Sequence, residues 1–166
     1  GVLYFNYRGF YGVSGFTSNS IEQLNNGFQL PFVSVITCGT GSFKNESVCL
    51  SEKFVVAGSA SSPKGGVVSI GTATTGTHTM YNNAVNLGVF EGIFIHNVTT
   101  AGEALNFGKL HLINSYYGQT QTYASIFCHW HSLMGDPSLN LWTDTPFIPS
   151  VYYPNEIAFG SNNIEI

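Results

Sequence analysis

Cys38 lies just past the apolar run Pro31 to Ile36, in the stretch LPFVSVITCGTGSF (residues 30–43), and leads into a Gly-Thr-Gly turn. A short β-branched run of this kind predicts a strand buried on both faces of a parallel sheet. Glycines directly after it let the backbone turn sharply and expose amide N–H groups. Cys38 then falls at the carboxyl end of a central strand, where open α/β sheets place their ligands. A thiolate there, with free amides beside it, has the parts of a nucleophile with an oxyanion hole. The same residues also fit a small buried cysteine beside a tight turn.

The other reactive side chains form weaker patterns. Cys128, His129 and His131 make a compact C-H-x-H group. On an extended segment His129 and His131 would share a face and, with further ligands, hold zinc or copper. The sequence offers no clear fourth ligand, so neither a metal nor another cofactor is expected. Cys38, Cys49 and Cys128 are an odd set without C-x-x-C spacing, which argues against a disulfide framework. Gly39-Thr40-Gly41 lacks the longer glycine fingerprint of a nucleotide site. Asp136, before Pro137, reads as a turn former rather than a catalytic acid.

The elements that must position Cys38 follow from the pattern. The 166 residues suit one domain with a real core; 43% are hydrophobic and 14% aromatic. Only 8% are charged, against the usual quarter, and the net charge of −4 leaves no basic patch for nucleic acid. No apolar run is long enough to cross a bilayer. The low charge and abundant hydroxyls lean towards an extracellular protein. Asn45-Glu46-Ser47 and Asn97-Val98-Thr99 match the glycosylation pattern.

VLYFNY reads as a first strand, already under way at Gly1, as in a piece of a longer chain. Ser20 to Asn26 reads as a short helix with Ser20 as N-cap. After the Cys38 strand, Ser47 starts a helix over Val48 to Ala57, ended by Gly58. VVSIG is a third strand, followed by a polar loop from Thr72 to Thr79 and a helix from Asn82 to Ile95. Another helix begins at Thr100, with Glu103 completing a capping box. Gly135 to Ser138 is a turn and LNLW a final strand. From Thr143 the composition turns Pro-rich. Strands alternating with helices predict an α/β fold, a mostly parallel sheet flanked by helices.

Three blocks, in order, resemble the gingipain-type cysteine peptidases. NYRG followed by Phe-Tyr-Gly resembles that family's Tyr-x-Gly-His-Gly loop. LPFVSVITCGTGSF resembles its nucleophile strand, and AGEALNFGKL with LMGDPSLNLW its helix and closing strand. The family's Gly-Asp-Pro-Ser-Leu signature stands intact at Gly135 to Leu139. The resemblance implies a caspase-like three-layer sandwich over residues 1–143, the C-terminal part of a catalytic domain. Residues 144–166 are then an exit linker or the first strands of an immunoglobulin-like module. It implies Cys38 as nucleophile, the amides of Gly12 and Cys38 as oxyanion hole, and Thr75, Gly76, Thr77 and His78 as the border of the S1 pocket. It also implies a secreted or cell-surface protein of bacterial type, acting on a polypeptide or binding a protein, with other domains in a longer chain.

One position departs from the pattern. Phe10 stands where the family has the histidine that activates the cysteine, and all five histidines follow Cys38. An ordinary thiol, with pKa near about 8.5, is only a few per cent thiolate at neutral pH. Histidine also protonates the leaving amine, and acid–base work of that kind contributes roughly 10²–10⁴ in rate. Phenylalanine does neither, and Arg8 cannot give up a proton at neutral pH. Two expectations follow: a cysteine endopeptidase of reduced activity, or an inactive relative kept as a binding or structural module.

Overall fold

The computed structural model describes residues 2–44, 47–118, 121–144, 150–152, 156 and 160. Asn45 and Glu46 of one glycosylation pattern and most of the Pro-rich tail lie outside them. In chain order the elements are β1 (Tyr4–Tyr7), α1 (Ser18–Glu22), β2 (Phe32–Val35), α2 (Leu50–Val56), β3 (Gly58–Ser59), β4 (Ser62–Pro63), β5 (Val68–Thr72), α3 (Thr79–Phe94), α4 (Ala101–Ser115), α5 (Gln121–Trp130) and β6 (His131–Met134). Among the described residues no helix is long and apolar enough to cross a membrane.

The main sheet has the order β1-β2-β5-β6. Its first three strands are parallel, and β6 joins β5 antiparallel. Every residue of β2 and β5 is buried, as a strand covered on both faces requires. Alternation along β2 divides the core between two layers. Phe32 and Ile36 join Val68 and Ile70 under α3, α4 and α5, with Val85, Val89, Leu112 and Phe127. Val33 and Val35 face the other way, towards Ile21 and Phe54 of α1 and α2. The predicted mostly parallel sheet flanked by helices is therefore observed.

Several boundaries differ from the sequence expectation. Thr17, not Ser20, caps α1; Ser20 is the reciprocal partner, its hydroxyl accepting from the Thr17 amide at 3.1 Å. Cys49, not Ser47, caps α2, and the Glu52 carboxylate reaches back to its amide at 3.4 Å. α3 starts three residues before Asn82, with His78 as N-cap. Thr100 does cap α4, but the Glu103 carboxylate accepts from its hydroxyl at 2.9 Å.

The largest correction concerns the end of the sheet. LNLW is not its closing strand; Asn140 makes a single bridge to Thr100. The closing strand is β6, His131–Met134, reached through α5, an element the sequence reading passed over. The signature segment does different work. The carbonyls of Pro137 and Leu139 accept from the amides of Gly102 and Ala101 at 2.8 and 3.0 Å. These are first-turn N–H groups of α4, which no intrahelical carbonyl can satisfy. Asp136 accepts from the Ser138 amide and hydroxyl at 2.9 and 2.7 Å. Those bonds, the hydroxyl's first, hold its carboxyl below the ordinary range. It is the turn former the sequence predicts.

The helices α3 and α4 pack backbone to backbone because both carry glycine at their crossing. A methyl on Gly108 would lie 2.6 Å from the Val85 carbonyl oxygen, and one on Gly88 would lie 2.9 Å from the Gly108 Cα. Gly108→Ala gains about 1 kcal/mol of helix propensity but forces two backbones apart, an overpacking that costs about 1–3 kcal/mol. The expected result is a lower urea midpoint. An unchanged or raised midpoint would show slack between the helices.

Candidate active site

The carboxyl ends of β1, β2 and β5 converge on the turn that follows β2. Thr40 holds it there. Its buried hydroxyl lies 2.5 Å from the Val35 carbonyl and 3.0 Å from that of Thr37, and accepts from the Thr72 amide at 3.2 Å. The Thr40 carbonyl accepts from the Ser51 amide of α2 at 2.8 Å, and the Gly41 and Gly39 amides donate to Thr72 and Thr74, each at 2.9 Å. The turn is thus tied to β5 and to the start of α2 before Cys38 is considered.

Cys38 itself is buried, at 4% exposure, yet it lies beside the loop at residues 8–12. Tyr11 and Cys38 form a parallel bridge that continues the β1–β2 pairing past both strands. Through it the Cys38 amide donates to the Phe10 carbonyl at 3.3 Å, and the Gly12 amide donates to the Cys38 carbonyl at 3.1 Å. The Thr37 hydroxyl anchors the Gly12 carbonyl at 2.6 Å. This corrects the expectation of free amides: the two N–H groups assigned to an oxyanion hole, those of Gly12 and Cys38, are both already committed to carbonyls.

The polar loop between β5 and α3 closes the third side. The Thr77 hydroxyl meets Cys38 Sγ at 2.7 Å. Thr75 and the ring of Tyr11 both lie beside Gly39; a methyl there would lie 3.4 Å from each. The Gly76 amide donates to the Thr74 hydroxyl at 3.2 Å. His78 is turned to structural use, Nδ1 accepting from the Met80 amide at 3.2 Å as the cap of α3. Of the four residues expected to border a pocket, Thr77 touches Cys38 and Thr75 lies beside Gly39.

Phe10 is 76% exposed and Tyr11 63% exposed. Arg8 points along the same edge, its guanidinium donating to Asn83 Oδ1 at 2.5 and 2.9 Å. Burial, the larger effect, lowers its proton affinity from the ordinary value, and the nearby Cys38 works against that. Sγ bonds to a hydroxyl, not to an imidazole.

The metal reading of Cys128, His129 and His131 fails on geometry. Cys128 and His129 lie on α5, whereas His131 starts β6, so the two histidines do not share an extended face. Cys128 Sγ points to the Lys109 carbonyl at 3.7 Å, and its thiol is pushed up by burial. Among the described residues no three such side chains converge as metal ligands.

His131 is instead a buried core histidine, 1% exposed. Its Nδ1 lies 2.6 Å from the Phe127 carbonyl and its Nε2 3.2 Å from Asn82 Oδ1. The other end of the Asn82 amide meets the Thr77 hydroxyl at 2.9 Å. Asn82 is a part of the site that the sequence did not single out, and His131 stood out there only as a candidate metal ligand. A buried asparagine in the first turn of α3 was the available signal; nothing pairs it with a residue 49 positions on.

These observations settle the family. The sequence profile of Peptidase family C25 matches residues 1–142. The chain belongs to this gingipain-type cysteine peptidase family. The crystal structure of the Arg-specific cysteine proteinase gingipain R is 24% identical, with a TM-score of 0.74 over 95% of this chain and 37% of that one. A complex of Porphyromonas gingivalis RgpB pro- and mature domains gives 23%, a TM-score of 0.70, and 95% and 38%. A structure described only as a protease gives 15%, 0.76, and 95% and 39%. The C25 chain described here therefore shares their caspase-like fold and spans under two fifths of each matched chain. No curated protein matches it.

Two measurements probe this C25 site's construction. Thr40→Val removes the hydroxyl shared by the Val35 and Thr37 carbonyls and the Thr72 amide, leaving the two carbonyls only the Thr37 and Thr40 amides as partners, and is expected to cost about 2 kcal/mol in urea unfolding; Thr40→Ser should recover most of it. Burial pushes His131 from 6.5 to about 4, against the raising effect of its Phe127 bond. Between those values the unfolded chain binds the extra proton, so stability rises with pH through that window and falls on acidification. The loss from pH 6.5 to 4 amounts to about 3 kcal/mol. His131→Gln is expected to flatten this part of the stability profile; an equal slope in both proteins would place the acid sensitivity elsewhere.

Proposed function

We propose that this C25 chain is the second half of a gingipain-type catalytic domain that retains its nucleophile turn but does not hydrolyse peptides. It serves as a polypeptide-binding or structural module of a secreted or cell-surface protein, with residues 144–166 leading into a following immunoglobulin-like module. The observation that carries the reading is Phe10. It occupies the activating histidine's place and accepts through its backbone from Cys38, at 3.3 Å, while offering no side-chain base. The paired amides of Cys38 and Gly12 support it, since a tetrahedral oxyanion would find neither donor ready.

Binding is supported by the surface around the turn. Phe10 and Tyr11, which pair with Cys38 through their backbone, and Phe43, which follows the Cys38 turn, are each more than half exposed. Rings of this kind supply large contact area with few rotatable bonds. The second reading, an endopeptidase with Cys38 as nucleophile, draws on the retained cysteine and on Thr77 at its sulfur.

The test is a denatured protein substrate and a thiol-reactive peptidyl probe offered to the full-length protein at neutral pH. No cleavage above the Cys38→Ala background is expected, and Cys38 should react with the probe no faster than free cysteine. Phe10→His should raise the labelling rate by about tenfold, as a neighbouring imidazole promotes the thiolate. Cleavage by the parent protein that disappears in Cys38→Ala would overturn the inactive reading.

A further inference from the structure

Four side chains from four elements of the chain form one line: Cys38 Sγ, Thr77 Oγ1 at 2.7 Å, the Asn82 amide at 2.9 Å from that hydroxyl, and His131 Nε2 at 3.2 Å from the amide's other end. Cys38, Asn82 and His131 are all buried. The direction of each bond can be worked out from the far end. The Phe127 carbonyl, 2.6 Å from Nδ1, only accepts, so Nδ1 carries the proton. A neutral imidazole then presents a bare lone pair at Nε2.

That lone pair needs a donor, and only the NH₂ end of an amide donates. The two ends of an amide have the same shape and are told apart by their partners. Asn82 therefore turns its nitrogen to His131 and its oxygen to Thr77. The oxygen takes the single hydroxyl proton of Thr77. What remains facing Cys38 is a hydroxyl lone pair, to which a thiol S–H donates and which a thiolate would meet as a like charge.

We propose that Asn82 and His131 are positioning residues that keep Cys38 a neutral thiol by committing the Thr77 hydroxyl away from it. The inference deepens the reading of Cys38 as an unactivated family nucleophile and rests on it. Burial keeps His131 neutral at pH 7, with Arg8 and Lys109, the charged groups that act on it, both opposing a proton there. Arg8 also faces Cys38, and Lys109 lies beside the Cys128 thiol, itself held neutral by burial. Reversed, the same line would stabilise a thiolate: a protonated His131 turns Asn82 over, and Asn82 donates to Thr77, which donates to sulfur.

The experiment follows alkylation of Cys38 by iodoacetamide across pH in the full-length protein, resolved from Cys49 and Cys128 by peptide mass mapping. The readout is the rate at pH 7 divided by the plateau rate at high pH, so that accessibility cancels. Asn82→Ala frees the Thr77 hydroxyl to donate to sulfur, and the ratio is expected to rise about tenfold, roughly one hydrogen bond to a charged group. Thr77→Ala should raise it less, Thr77→Ser should leave it unchanged, and the Asn82→Ala/Thr77→Ala double variant should match Thr77→Ala. A ratio that falls in Thr77→Ala, or a folded Asn82→Ala with the parent's ratio, overturns the lock. Should Asn82→Ala not fold, the direction of the Thr77→Ala change alone decides. A parent Cys38 that labels faster than free cysteine would instead overturn the inactive reading, whatever the variants do.

Discussion

The hydroxyl of Thr40 is where the architecture of this site is decided. It ties the end of β2 to the start of the strand-to-loop passage after β5, and the backbone on either side extends the tie to α2. A turn at the end of a buried strand leaves amides and carbonyls that neither sheet nor water can satisfy. The Thr40 hydroxyl adds to the backbone bonds from inside the turn, so that Cys38 is presented at the sheet's end without a long loop. The position of Cys38, its bridge to Tyr11 and the approach of Thr77 all presuppose that turn. A charge-poor chain has reason to build this way, because buried hydroxyls carry a smaller desolvation cost than buried ions.

The same economy of charge appears at the far end of the molecule. The Gly-Asp-Pro-Ser-Leu segment passes over the N-terminus of α4 and gives two backbone carbonyls to its first-turn amides. Helix capping is usually done by a side chain, and Thr100 does that as well. With both in place the helix end is closed by a segment 35 residues later in sequence. The signature's persistence in this chain thus has a structural reason that does not depend on catalysis. A domain that had lost its chemistry would still need it.

How much could be read from the sequence depends on the range of the interaction. The strands at Phe32 and Val68 were legible as short runs rich in β-branched residues, bounded by Pro31 and Gly39 and by Gly66 and Gly71. α4 was legible because Thr100 and Glu103 stand at capping spacing. β6 was not, because its four residues, HSLM, carry neither a clear alternation nor a long apolar run. LNLW carried the better pattern, but its leucines pack against the core from an irregular segment. The contact of Cys38 with Thr77 spans 39 positions, and that of Asn82 with His131 spans 49. No local periodicity encodes such pairs. His131 looked like a metal ligand because its sequence neighbours are Cys128 and His129, and a helix ending at Trp130 removes it from both.

Under the inactive reading proposed for this chain, a histidine at position 10 would not by itself complete a peptidase. Acid–base chemistry and oxyanion stabilisation lower the same barrier by separate routes, worth roughly 10²–10⁴ and 10²–10³ respectively. Under that inactive reading, Phe10 offers no side chain for the first, and the bridge between Tyr11 and Cys38 occupies the amides assigned to the second. The two features belong to one loop: the backbone that brings residue 10 beside the cysteine is the backbone that pairs the amides. Alkylation needs only a reactive sulfur and would respond to an imidazole at position 10. Peptide hydrolysis needs the amides as well, and an imidazole cannot release them. On that reading turnover would require the bridge to open, a change of backbone pairing rather than of a single side chain.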